Sequence, residues 1–107
     1  MGYAIWPEGI RGEALRDVNA ERRRQDEFWS QQNHDPFCYL TILMEEVGEL
    51  AQAALHARFG GHAAGTMRKE AVQVAAVAVA IIECLDRDRW QWNEQQPGRS
   101  VDEATRR

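Results

Sequence analysis

Three carboxylates crowd into five residues, Glu45-Glu46-Val47-Gly48-Glu49, within a segment that is otherwise largely apolar from Leu40 to Leu55. On a helix, Glu46 and Glu49 are three apart and Glu45 and Glu49 are four apart, so both pairs are neighbours. Like charges at this spacing weaken a helix by a few tenths of a kcal/mol per pair. Setting them among Ile42, Leu43, Met44, Val47 and Leu50 adds a loss of hydration. A bound hard cation removes the repulsion and offsets that loss. The competing explanation is an acidic, solvated face on an amphipathic helix.

A second segment brings further oxygen donors. If the acidic helix and the next one form an antiparallel hairpin reversing near residues 60–62, Glu49 faces roughly residues 72–75. Glu70 and Gln73, three apart on one face, lie within a turn of that level. Glu46, Glu49, Glu70 and Gln73 can therefore converge from two helices. Glu83 and Asp86 have a similar spelling but lie about 20 Å farther along the helix. They are expected to be a solvated helix end that cannot share the same ion.

These donors need three helices to place them. The first is expected over residues 12–32. Its apolar positions Leu15 and Val18 continue at helical spacing into Arg22, Gln25 and Trp29. One stripe thus begins as core and becomes polar and aromatic. Either its far end lines a pocket, or the stripe simply leaves the core there. Asn33-His34-Asp35-Pro36 breaks the chain, with Asp35 as cap and Pro36 in the first turn of a second helix over residues 36–58. Gly60-Gly61 ends that helix. A third is expected over residues 66–89 with Thr66 as cap. Residues 1–11, with Pro7, Gly2 and Gly9, read as an irregular lead-in that Ile5 and Trp6 dock onto the body. Residues 91–107 read as a flexible tail beyond the domain at 12–90.

The third helix carries Val74-Ala75-Ala76-Val77-Ala78-Val79-Ala80-Ile81-Ile82, apolar on every face. Such a helix must be surrounded. Two companion helices from one short chain cover it poorly, so a second copy is expected to complete the packing. The fold class is accordingly all-α: an antiparallel helical bundle completed by oligomerisation through this helix, as a homodimer or homotetramer.

The 107 residues fit one domain, and the 17 acidic against 13 basic side chains give a net charge of −4. That argues against a general nucleic-acid binder, and Arg22-Arg23-Arg24 fans around its helix instead of forming a stripe. A bound divalent ion can still reverse the local charge for a small polyphosphate. Cys38 and Cys84 form no CxxC pair and are expected to be buried free thiols. The first residues lack a basic segment followed by an apolar core, and no stretch approaches the roughly 20 apolar residues a bilayer needs. A cytoplasmic protein with no membrane partner is expected.

Glu46-Val47-Gly48-Glu49, preceded by Glu45 and followed by Leu50-Ala51-Gln52-Ala53, resembles the E-x-x-E metal motif of the MazG-like, all-α nucleotide pyrophosphohydrolases. Residues 24–35, Arg-Gln-Asp-Glu-Phe-Trp-Ser-Gln-Gln-Asn-His-Asp, resemble the first helix and loop of that family. The resemblance covers about residues 21–87. The family's second motif, E-x-x-D, is represented by Glu70-Ala71-Val72-Gln73, so Gln73 stands where the family has Asp.

The resemblance implies hydrolysis of a nucleoside triphosphate, or a related nucleotide, to a monophosphate and pyrophosphate. It implies Mg²⁺, or Mn²⁺, held by Glu46, Glu49, Glu70 and Gln73. Glu45 or Glu46 is the expected group to orient or deprotonate the attacking water. Trp29 by stacking, Gln25 by hydrogen bonds and Arg22 by charge are expected to meet the nucleotide. There is no glycine-rich phosphate loop, so the phosphates fall to metal and side chains. The alternative is a non-catalytic helical oligomer of the same fold that binds a nucleotide or a protein, with Gln73 as its best support.

Overall fold

The computed structural model describes residues 8–61 and 65–87, and among them it contains three α-helices and no strand. Helix α1 spans Gly9–Trp29, α2 spans Pro36–Phe59 and α3 spans Met67–Asp86. Residues 9–11 therefore open α1 and do not belong to an irregular lead-in. No side chain caps this end, since Glu8 makes no capping hydrogen bond. The expected docking of Ile5 and Trp6 and the expected tail lie outside the described residues. No described helix is long and apolar enough to cross a membrane.

The remaining boundaries follow local chemistry. Helix α1 stops at Trp29, short of residue 32, because Ser30 takes φ +61° while its N–H still donates to the Asp26 carbonyl. Asp35 caps α2 by accepting from the Cys38 N–H at 2.9 Å, and Pro36 sits in the first turn, where no intrahelical donor is required. Gly60 and Gly61, at φ +84° and +113°, stop α2 in a conformation that glycine adopts without steric cost. Thr66 caps α3 by accepting from the Lys69 N–H at 3.1 Å.

Helix α3 is the shared element: α1 and α2 both pack on it and not on each other. Helices α2 and α3 form the antiparallel hairpin. Helix α1 runs in the same sense as α3, with Asp17 pairing to Arg68 near the start of α3 and Arg22 to Glu83 near its end. The small core comprises Tyr39 and Ala53 of α2 with Ala76, Val77 and Cys84 of α3. Two flanking helices thus cover part of the apolar run in α3, while Ile82, Leu85 and Met67 remain substantially exposed. Both cysteines are free, but Cys38 is exposed and only Cys84 is buried. The apolar neighbours of Cys38, Phe37 and Leu40, are themselves exposed, so they give it no cover.

Candidate functional site

The acidic residues of α2 and α3 meet. One carboxylate oxygen from each of Glu46, Glu49 and Glu70 lies within 4.8 Å of the others. Their burial differs: Glu49 is exposed, Glu46 half-buried, and Glu70 only 4% exposed. Glu70 sits in the first turn of α3, where the helix N-terminus favours negative charge. One oxygen each of Glu46 and Glu70 is buried without a hydrogen-bond partner. An orphaned buried acceptor ordinarily costs about 1–3 kcal/mol, and more when charged.

Glu46 responds as this arrangement requires. Burial raises its pKa first, and the charges of Glu49, Glu70, Glu45 and Glu21 raise it further. A divalent cation among these oxygens would oppose those effects by favouring the charged carboxylates. The donor set fits one hard ion: all oxygen, anionic, from two rigid helices, with room left for waters or a ligand to complete the coordination. Glu70 meets Glu49 across the hairpin, within a turn of the level that an antiparallel reversal near residues 60–62 gives.

Glu46 also faces a cleft of about 490 Å³ between the three helices. Arg22, Gln25 and Trp29 of α1 line it, together with Gln73 of α3. The α1 stripe that turns polar and aromatic therefore does line a pocket. Gln73 borders this cleft beside Glu46 and also borders a shallower groove with Asp17, Arg24, Arg68 and Lys69. Glu45 is exposed and lines neither.

Arg22 is held tightly. Its Nε and Nη2 donate to Glu83 Oε1 at 3.0 and 2.7 Å, Nη1 donates to Gln25 Oε1 at 2.9 Å, and Nη2 also reaches Asp26 at 2.9 Å. Burial works against its charge, but the bonds to Glu83 and Asp26 outweigh that and raise its pKa. Glu83 thus lines the cleft and pairs with Arg22, although its side chain remains 44% exposed. Asp86 is exposed, as expected of a solvated end.

The loop between α1 and α2 closes the far end of the cleft. Tyr39 donates its hydroxyl to the Gln32 carbonyl at 2.7 Å, and burial, then the neighbouring Cys84, pushes its pKa up to about 12. Its phenol therefore stays protonated at neutral pH. His34 packs edge-on against Tyr39, and its Nε2 donates to Gln32 Oε1 at 2.6 Å. Arg87 donates to Asn33 Oδ1 at 3.1 Å. His34, Tyr39, Arg87 and Glu21 all line the cleft as well, and their residue types and spacing alone do not single them out. The break at Asn33-His34-Asp35-Pro36 was the available signal, since it must fold back over whatever follows. Comparison of the chain with protein-family models, with curated proteins and with solved structures finds no match in any of the three.

Proposed function

We propose that the chain is a Mg²⁺-dependent nucleotide pyrophosphohydrolase, cleaving a nucleoside triphosphate or related nucleotide to a monophosphate and pyrophosphate, and working as a homo-oligomer. The observation that carries the reading is the cluster of Glu46, Glu49 and Glu70, with two orphaned oxygens, opening through Glu46 onto a cleft walled by Trp29, Gln25 and Arg22. The resemblance of residues 21–87 to MazG-like proteins supplies the reaction.

Glu46, Glu49 and Glu70 are the residues that hold the ion, with Mn²⁺ an acceptable substitute. When bound there, it neutralises charge on the phosphoryl oxygens and on the departing pyrophosphate. The chain's own groups divide the remaining work. Glu46 is the carboxylate of the cluster that faces the cleft, which places it to meet an attacking water. It takes the proton from the attacking water. Trp29, more than half exposed, offers a ring face to the base. Gln25 supplies donors and an acceptor to base or sugar. Arg22 arrives pre-oriented by Glu83, so little side-chain entropy is lost when it meets a phosphate.

The test is release of pyrophosphate from a panel of nucleoside triphosphates with Mg²⁺. Wild type is expected to release it from at least one, and Glu49→Gln is expected to lose at least a hundredfold. A second reading, a nucleotide-binding module without turnover, is favoured by Gln73, a neutral oxygen donor where the resembled family has a carboxylate. Nucleotide binding with no pyrophosphate from any member of the panel would establish that second reading and sink the first.

A further inference from the structure

We infer that Gly65 is a positioning residue for Glu70, keeping the carboxylate aimed at Glu46 and Glu49; the inference rests on the metal reading above. A Cβ built on Gly65 falls 2.5 Å from Glu70 Oε1 and 3.4 Å from its Cδ. Gly65 is not among the glycines with positive φ, which are Gly9, Gly60 and Gly61. Its backbone does not demand glycine; the space over Glu70 does. The turn that follows is pinned, with Thr66 accepting from the Lys69 N–H at 3.1 Å and its carbonyl accepting from the Glu70 N–H at 2.9 Å. Sliding residue 66 to make room for a side chain at position 65 would disturb the cap of α3.

What yields is the free end of Glu70. Restoring ordinary contact moves its carboxylate by roughly 1 Å. Glu70 is 4% exposed, so the carboxylate has no solvent to swing into, and Oε2 has no partner that would hold it in place. Ligand oxygens lie about 2.0–2.1 Å from Mg²⁺ with near-ideal angles, so a shift of that size takes Glu70 out of the set.

The experiment titrates Mn²⁺ alone into wild type, Gly65→Ala, Glu70→Asp and the double variant, by calorimetry, and records the metal-free helical melt of each. Gly65→Ala is expected to weaken Mn²⁺ binding at least tenfold while its metal-free melt stays within a few degrees of wild type. Glu70→Asp, shorter by one methylene, draws the carboxylate away from position 65. In that background Gly65→Ala is expected to cost less than a further twofold. If wild type binds Mn²⁺ and Gly65→Ala binds it equally well, or loses the same factor in both backgrounds, the inference is overturned and the metal reading stands. If Gly65→Ala lowers the metal-free melt equally in both backgrounds, glycine serves the loop and not Glu70, which also overturns it. If wild type binds no Mn²⁺ with or without nucleotide, the metal reading falls and the inference falls with it.

Discussion

Glu46 sits beside three other glutamates of the α2–α3 hairpin and Glu21 of α1, with one of its own oxygens cut off from water. Its pKa is raised in the folded chain and ordinary in the unfolded one, so the folded state holds the proton more tightly. Stability is then greatest below the ordinary glutamate value and falls as pH rises through the raised value. With a chelator present, the melting temperature is expected to fall as pH climbs above about 4.5, the ordinary glutamate value, toward neutrality. Glu46→Gln should flatten that slope, and millimolar Mg²⁺ should lift the neutral end, because it binds only the folded chain. A chelated wild type whose melt rises over the same interval would contradict the assignment. Gln73 poses the complementary question, since it borders the cleft beside Glu46 without charge. Gln73→Asp is expected to tighten Mn²⁺ binding severalfold, measured by calorimetry, with turnover equal or higher. Tighter metal with slower pyrophosphate release would show instead that the Gln73 amide contacts the substrate.

Among the elements, those closed by local chemistry were readable from sequence. Asp35 with Pro36, Thr66, and the Gly60-Gly61 pair each act within a few residues, and each marks its boundary in the structure. The convergence of Glu46, Glu49 and Glu70 was readable because a hairpin of two helices has one free parameter, its register. Helix α1 was harder. It starts at Gly9 without a side-chain cap, so nothing in the sequence marks its first turn. The contact of Arg22 with Glu83 spans 61 residues and depends on how α1 lies across α3, which no periodicity encodes. That ion pair is a main polar tie between α1 and α3, alongside the exposed pair of Arg68 with Asp17. Arg22 is 12% exposed and Glu83 far more open, so its worth is modest, about 1 kcal/mol. Glu83→Gln is expected to lower unfolding free energy by that amount in urea. It should also raise the KM for nucleotide with little change in kcat, because Arg22 loses its orientation. A raised kcat would mean that Glu83 restrains Arg22 from the substrate.

Across the whole molecule, many large apolar side chains among the described residues stand in water. The expectation of a second copy arose from α3, but α1 and α2 already cover two sides of that helix. More of the exposed large apolar side chains belong to α2 than to α3. Leu40, Met44, Leu55 and Phe59 are each more than half exposed there, at three- and four-residue spacing with Gly48 and Ala51 between them. A Cβ at Gly48 would meet nothing within 4 Å, so the middle of the stripe is open. The order of side chains is close to palindromic about the Val47–Gly48 step. Two α2 helices crossing antiparallel between Val47 and Gly48 would set Leu40 against Leu55 and Met44 against Ala51, while the glycines let the backbones approach. A self-complementary patch of this kind is what a two-fold interface requires. A homodimer through α2 is therefore expected, and light scattering at micromolar concentration should return twice the chain mass. Leu55→Glu places a charge at a contact that occurs twice across the axis, and it should give a monomer with its helical spectrum retained, since Leu55 is exposed in the single chain. A wild-type monomer mass would remove the dimer altogether. A dimer that survives Leu55→Glu would move the interface back to the exposed face of α3, at Ile82 and Leu85.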